Sequence, residues 1–185
     1  MQNLSPIGWA LLPLKNYAKF SGRASRAEFW WFFLFTLIFY VVVMFVAGTI
    51  AGTGMMAANP GSAVLTGTFG ISTMIVLLFW LVLFVPTLAV QIRRLHDINR
   101  SGWWLGVFWL LYVGYMALAF GTLARAGSPD AAAPNLGMAA GVGIFALVFM
   151  VYSIVLLVFF CLRGIPGPNR YGDDPYGPDV ERVFA

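Results

Sequence analysis

Phe29-Trp-Trp-Phe-Phe-Leu-Phe-Thr-Leu-Ile-Phe-Tyr-Val-Val-Val-Met-Phe-Val-Ala-Gly-Thr-Ile-Ala51 holds no charged residue, and fourteen of its residues are Phe, Leu, Ile or Val. A helix crosses the hydrocarbon core of a bilayer with about 20 apolar residues. Each large apolar side chain near the bilayer centre favours insertion by roughly 0.3–0.6 kcal/mol. Nothing in the run opposes that sum, so it reads as a transmembrane helix. Three more stretches follow the same logic without a charge: residues 71–90, 103–123 and 138–162.

Composition agrees. The chain is 61% hydrophobic and only 10% charged, against about a quarter charged in soluble domains. A water-facing surface needs more charge than that. The net charge of +4 would point to nucleic acid only if the basic residues lined one soluble face. Here they stand in short clusters between apolar stretches, so no nucleic-acid partner is expected. The one cysteine, Cys161, lies in an apolar run. It offers neither an internal disulfide nor a metal signature.

The charge-free region from Phe29 to Ile92 is long enough to suggest three spans. The segment 52–61 argues for two, because it is rich in turn residues and ends on the breaker Asn59-Pro60-Gly61. Orientation follows from Lys and Arg. Lys15, Lys19, Arg23 and Arg26 precede the first span; Arg93, Arg94 and Arg100 separate the second from the third; Arg163, Arg170 and Arg182 follow the fourth. Only Arg125, near Asp130, falls on the other side. The expected fold is an all-α membrane protein of four transmembrane helices with both termini in the cytoplasm. It divides into a lead over 1–28, a four-span domain over 29–162 and a Gly/Pro-rich tail over 163–185.

The lead mixes Trp9, Leu11, Leu12, Leu14, Tyr17 and Phe20 with Lys15 and Lys19 and is interrupted by Pro13. It reads as a short amphipathic segment on the inner leaflet. Its long basic stretch and the length of the apolar run behind it speak against a cleavable signal. Trp30-Trp31 and Trp103-Trp104 open the first and third spans at headgroup level, where amphipathic rings anchor. Pro86 removes one backbone bond from the second span and is expected to kink it. Gly48-x-x-x-Gly52, Gly102-x-x-x-Gly106 and Gly137-x-x-x-Gly141 are compatible with close helix approach; the spacing is common by chance in a Gly-rich chain and says little about the homo-oligomer that such a chain allows.

Polar groups gather in three inner segments. In the first, Ser25-x-x-Glu28 before an apolar run has the form of a capping box, flanked by Arg23 and Arg26. In the second, Asp97 stands four residues from Arg93 and three from Arg94, within pairing reach of either on a helix. His96 is adjacent, and Asn99 or Ser101 is placed to cap the third span. One histidine beside one aspartate is a weak sign of catalysis or metal binding, since neighbouring helical residues point apart. The third, residues 164–178, is too rich in Gly and Pro for a helix; it reads equally as a solvated turn-rich tail or as one folded back on the inner loops with Arg170 and Tyr171 as anchors.

These segments together resemble the bacterial inner-membrane family known as domain of unknown function 805. The resemblance rests on Phe20-Ser-Gly-Arg-x-Ser-Arg-x-Glu-Phe-Trp30, on Arg93-Arg-Leu-His-Asp-x-x-Arg-Ser-Gly-Trp-Trp104 and on Asn169-Arg-Tyr-Gly172, in that order. The long neutral loop after the first span, the Ala- and Pro-rich second outer loop and Asp173-Asp174 depart from it. The resemblance implies a location and a topology, and no activity.

The functional expectation is a non-enzymatic membrane protein whose inner arginine cluster meets an anionic group, with lipid headgroups the nearest candidates, because arginine offers a planar fork of donors to phosphate. The set is Arg23, Arg26, Glu28, Arg93, Arg94, His96, Asp97, Arg100, Asn169, Arg170 and Tyr171, with Arg93, Arg94 and Arg100 expected to act together. The alternative for these residues is a salt-bridge network that staples the bundle. No metal, cofactor or catalytic group is expected. A small transporter or channel subunit is the second reading, weakened because the spans hold no ionisable residue; an interfacial enzyme using His96 and Asp97 is the third.

Overall fold

A computed structural model describes residues 4–57, 63–126 and 136–175. The expected breaker at 59–61, the second outer loop with Asp130, and the tail from 176 onward with Arg182 lie outside the described residues. Five helices follow in order: α1 (Pro6–Lys15), α2 (Arg26–Ala57), α3 (Ala63–Asp97), α4 (Trp103–Ala126) and α5 (Leu136–Cys161). The last four are long and apolar enough to cross a membrane. With 32 and 35 residues, α2 and α3 are about 48 and 52 Å long at 1.5 Å per residue. That exceeds a hydrocarbon core of about 30 Å, so both project well beyond it.

The short helix α1 begins where Ser5 accepts a bond from the Gly8 amide, with Pro6 in the first turn. It does not stop at Pro13, as the sequence suggested, but runs on to Lys15 with the proline ring buried. An interior proline loses one internal bond and crowds the preceding turn, and burial of the ring against the bundle offsets that cost. Ala10 and Pro13 face the bundle, Leu14 packs on its core, and Ile7, Leu11 and Tyr17 stay exposed.

The helices α2 and α3 form one antiparallel pair and α4 and α5 another, with α1 laid mainly against α2. The core lies toward the arginine-bearing end, built from Phe29, Phe32, Val90, Leu95, Leu105, Leu156 and Phe160. Rings bridge the two pairs: Phe29 lies 4.6 Å from Phe160, and Phe84 lies 5.3 Å edge-on from Trp109. Most other large apolar side chains point outward, as helices surrounded by lipid allow. Trp103 is exposed while Trp104 stacks on Tyr152, so the pair divides between lipid and protein.

The proline in α3 leaves that helix continuous. It deprives the Val82 carbonyl, four residues earlier, of its usual amide, and the Tyr17 hydroxyl donates to that carbonyl at 2.7 Å. Of the spaced glycines, Gly102 lies close against α3, where a Cβ would meet Ile92 at 3.1 Å. A Cβ on Gly48, Gly52 or Gly141 would meet nothing within 4 Å.

A buried ion cluster as the candidate functional site

The end of α3 closes with a left-handed residue. Asn99 has φ of 58°, its amide donates to the His96 carbonyl and the Arg100 amide to the Leu95 carbonyl. These two bonds around a left-handed residue make a Schellman motif. Asn99 therefore ends α3 rather than capping α4. The first amides of α4 are taken by the backbone oxygens of Ser101 and Gly102. The motif fixes the direction of Arg93, Arg94 and Asp97 on the preceding turn.

Asp97 is fully buried and accepts from two arginines. Its Oδ1 lies 2.9 Å from Arg23 Nε and 2.8 Å from Arg23 Nη2, while Oδ2 takes Arg94 Nη1. The remaining donors of both arginines go to backbone carbonyls. Arg23 reaches Gly167 and Ile165 at 2.6 Å each, and Arg94 reaches Phe160 at 3.2 Å and also Leu162. Asp174 stands 3.9 Å from Arg23. The carbonyls of Phe160 and Leu162 belong to the negative end of α5, where a guanidinium is favoured. The Asp97 carbonyl in turn accepts the Ile165 amide at 3.1 Å.

Gly164 passes directly over this group. A Cβ there would overlap the Asp97 carboxylate, and two arginines hold that carboxylate in place. Only glycine fits.

Arg93, expected to act with its neighbours, points elsewhere. Its Nη1 lies 2.7 Å from Glu28 Oε1, both side chains being buried. Arg93 Nε and Nη2 carry no hydrogen bond, so the ion pair with Glu28 is what holds this buried guanidinium. The capping box is half formed. Ser25 Oγ accepts from the Glu28 amide at 3.0 Å, but the Glu28 carboxylate turns to Arg93 instead of back to Ser25. A charge partner outweighs a neutral amide for a buried carboxylate. The Ala24 amide donates to the Arg93 carbonyl, tying the lead to α3.

The tail folds back as its anchors suggested. The Tyr171 ring stacks on His96 with centroids 3.8 Å apart and planes 4° apart. Asn169 Nδ2 donates to the His96 carbonyl at 2.9 Å, and Arg170 Nη2 to that of Asn99 at 3.0 Å. Asn169 and Gly172 exchange backbone bonds, and Asp174 accepts the Gly167 amide at 3.0 Å. His96 Nδ1 is 3.1 Å from the Gly22 carbonyl. That bond needs the proton on Nδ1.

Burial thus sorts the basic residues into two sets. Arg23, Arg93 and Arg94 are buried, while Lys15, Lys19, Arg26, Arg100, Arg163 and Arg170 are exposed around them. The expectation that Arg93, Arg94 and Arg100 form one set does not hold. Arg100 lies over the rings of Trp104 and Phe159, at 5.9 and 5.6 Å.

Four long apolar helices sealed at one end by a buried ion cluster define a multi-pass membrane protein. The chain belongs to the family described as protein of unknown function (DUF805), whose profile matches residues 17–173. It is similar to inner membrane protein YhaI of Escherichia coli K12, 33% identical over 90% of this chain and 94% of that one. Inner membrane protein YhaH of the same strain is 31% identical over 91% of this chain and 97% of its own. The uncharacterized protein YiiR of that strain is 30% identical over 84% of each. No solved structure matches the chain. The protein is a multi-pass protein of the bacterial inner membrane.

Proposed function

We propose that this is a non-enzymatic membrane protein, with its arginine-bearing end toward the cytoplasm, that holds anionic lipid headgroups at the rim of that end. The sorting of charge by burial carries the reading. Asp97 and Glu28 are consumed inside the cluster by Arg23, Arg94 and Arg93. Arg26, Arg100 and Arg163 remain exposed at the ends of α2, α4 and α5. Such cations beside tryptophans suit phosphate at the membrane surface, at roughly 1 kcal/mol per basic residue. Arg23, Arg93 and Arg94 then support the rim and do not touch the lipid.

The test is native mass spectrometry of the protein released from nanodiscs of mixed phosphatidylglycerol and phosphatidylcholine. The parent should retain phosphatidylglycerol preferentially. Replacing Arg26, Arg100 and Arg163 together by Gln should weaken that preference by at least about tenfold. Replacing Lys15 and Lys19 should act more weakly, and high salt should weaken both sets, because all five charges are exposed and screened. Free inorganic phosphate should not displace the retained lipid. A folded triple variant with unchanged bound lipid overturns the reading.

A further inference from the structure

Between the two helix pairs, just above the ion cluster, lies an apolar groove of about 210 Å³. Trp30 and Phe33 of α2 form one wall, Phe108 of α4 another, and Leu157 and Phe160 of α5 the third. Two polar side chains reach it, Gln91 and Ser153. Ser153 is occupied, its hydroxyl donating to the Phe149 carbonyl at 2.7 Å. The half-buried Gln91 amide makes no hydrogen bond among the described residues. It sits three residues before Arg94, about 4.5 Å along the helix on the membrane side.

The dimensions limit what can lie there. A transmembrane helix is about 10–12 Å across with its side chains, too thick for a groove this size. A drug-sized molecule takes roughly 300–1,000 Å³, more than is offered. A free anion would find no cation inside the walls. A stretch of one hydrocarbon chain fits both the volume and the apolar lining.

Charge decides which lipid. Arg26 precedes Trp30 by four residues and Phe33 by seven, so it shares their face of α2, at the headgroup end of the groove. It is exposed, and no carboxylate among the described residues pairs with it. We infer that the groove seats one acyl chain of an anionic phospholipid, with the ester region at the Gln91 amide and the phosphate over Arg26. This rests on the headgroup reading above and adds a defined seat to it. The lipid then fills the space between the helix pairs.

The experiment uses phosphatidylglycerol and phosphatidylcholine that each carry a photoactivatable diazirine in one acyl chain, with the full-length protein in nanodiscs. On illumination, phosphatidylglycerol should label the recessed groove residues Leu105 and Phe108 of α4 above the general level on the lipid-exposed residues Ile154 and Val158 of α5. Ser153→Phe, which fills the groove without altering charge, should lower groove labelling to that general level. Leu157→Trp serves the same purpose if the first variant fails to fold. Arg26→Gln should leave chain labelling in place and reduce the preference for phosphatidylglycerol about fivefold, or about 1 kcal/mol. If phosphatidylglycerol is still preferred but the groove labels no more than Ile154 and Val158, the seat is overturned while the headgroup reading stands. If both lipids label the groove equally in the parent, the assignment to an anionic lipid is overturned. If the groove-filled variants keep the parent's labelling, the label reports surface lipid and the inference fails.

Discussion

The Tyr17 hydroxyl donates at 2.7 Å to the carbonyl of Val82, the carbonyl that Pro86 leaves without its helical partner. A residue of the N-terminal lead thus repairs a defect in a membrane-spanning helix. In hydrocarbon no water can take that place.

Tyr17→Phe should therefore destabilise the protein by about 1 kcal/mol, the scale of hydrogen bonds measured in membranes. In a Pro86→Ala background the amide restored at that position can bond the Val82 carbonyl itself, and the cost of losing the hydroxyl should shrink toward zero. Thermal denaturation of the parent, the two single variants and the double variant in one detergent is the measurement. An equal cost in both backgrounds would show that the hydroxyl does not serve the freed carbonyl.

Asp97→Ala should be among the most damaging single changes, because it removes the buried carboxylate that Arg23 and Arg94 both hold. Breaking a buried pair from one side costs roughly 3–5 kcal/mol. Arg125→Ala, at an exposed position, should stay within about 0.5 kcal/mol. Equal melting temperatures for the two variants would falsify the role given to Asp97.

Gly164→Ala tests the packing over the carboxylate. The added methyl group overlaps Asp97, so a loss of roughly 1–3 kcal/mol is expected, as for other overpacked sites. Gly141→Ala, where a Cβ meets nothing within 4 Å, should be neutral or slightly stabilising, since alanine is the better helix former. Unfolding midpoints of the two variants decide it, and a neutral Gly164→Ala contradicts the close approach.

Orientation is checked with reporters. A fusion after Phe184 should report cytoplasm, and insertions near Asn59 and Pro129 should report the outside. A C-terminal fusion reporting outside, or either loop reporting inside, removes the two-termini-in topology on which the headgroup reading depends.

The four spans were legible because insertion depends on local composition alone. The Ser25 cap, and Arg170 and Tyr171 as anchors of a folded-back tail, were legible for a similar reason, since turn chemistry is local; the bond from Asn169 to the His96 carbonyl was not. The division of labour among the arginines was not. Arg93 and Arg94 are neighbours in sequence, yet one faces Glu28 and the other Asp97, and only helix packing decides between them. Arg23 meets Asp97 across 74 residues. No spacing rule connects two positions so far apart. Gly164 carries no left-handed φ that would mark it, only a neighbour brought by the fold. Asn99 ends α3 instead of opening α4, and an asparagine between two helices suits either place equally well on sequence alone.

The Asp97 cluster also sets an order of assembly. Its parts come from the lead, from the end of α3 and from the exit of α5, with Arg94 meeting Leu162 across 68 residues. The first two spans can enter the bilayer while later ones are still being synthesised, and Arg23 and Asp97 are both made by then. The carbonyls that complete the set arrive only with residues 160–167. A chain halted before that point holds Asp97 but lacks the backbone carbonyls that complete the cluster. Insertion and locking are thus separate events.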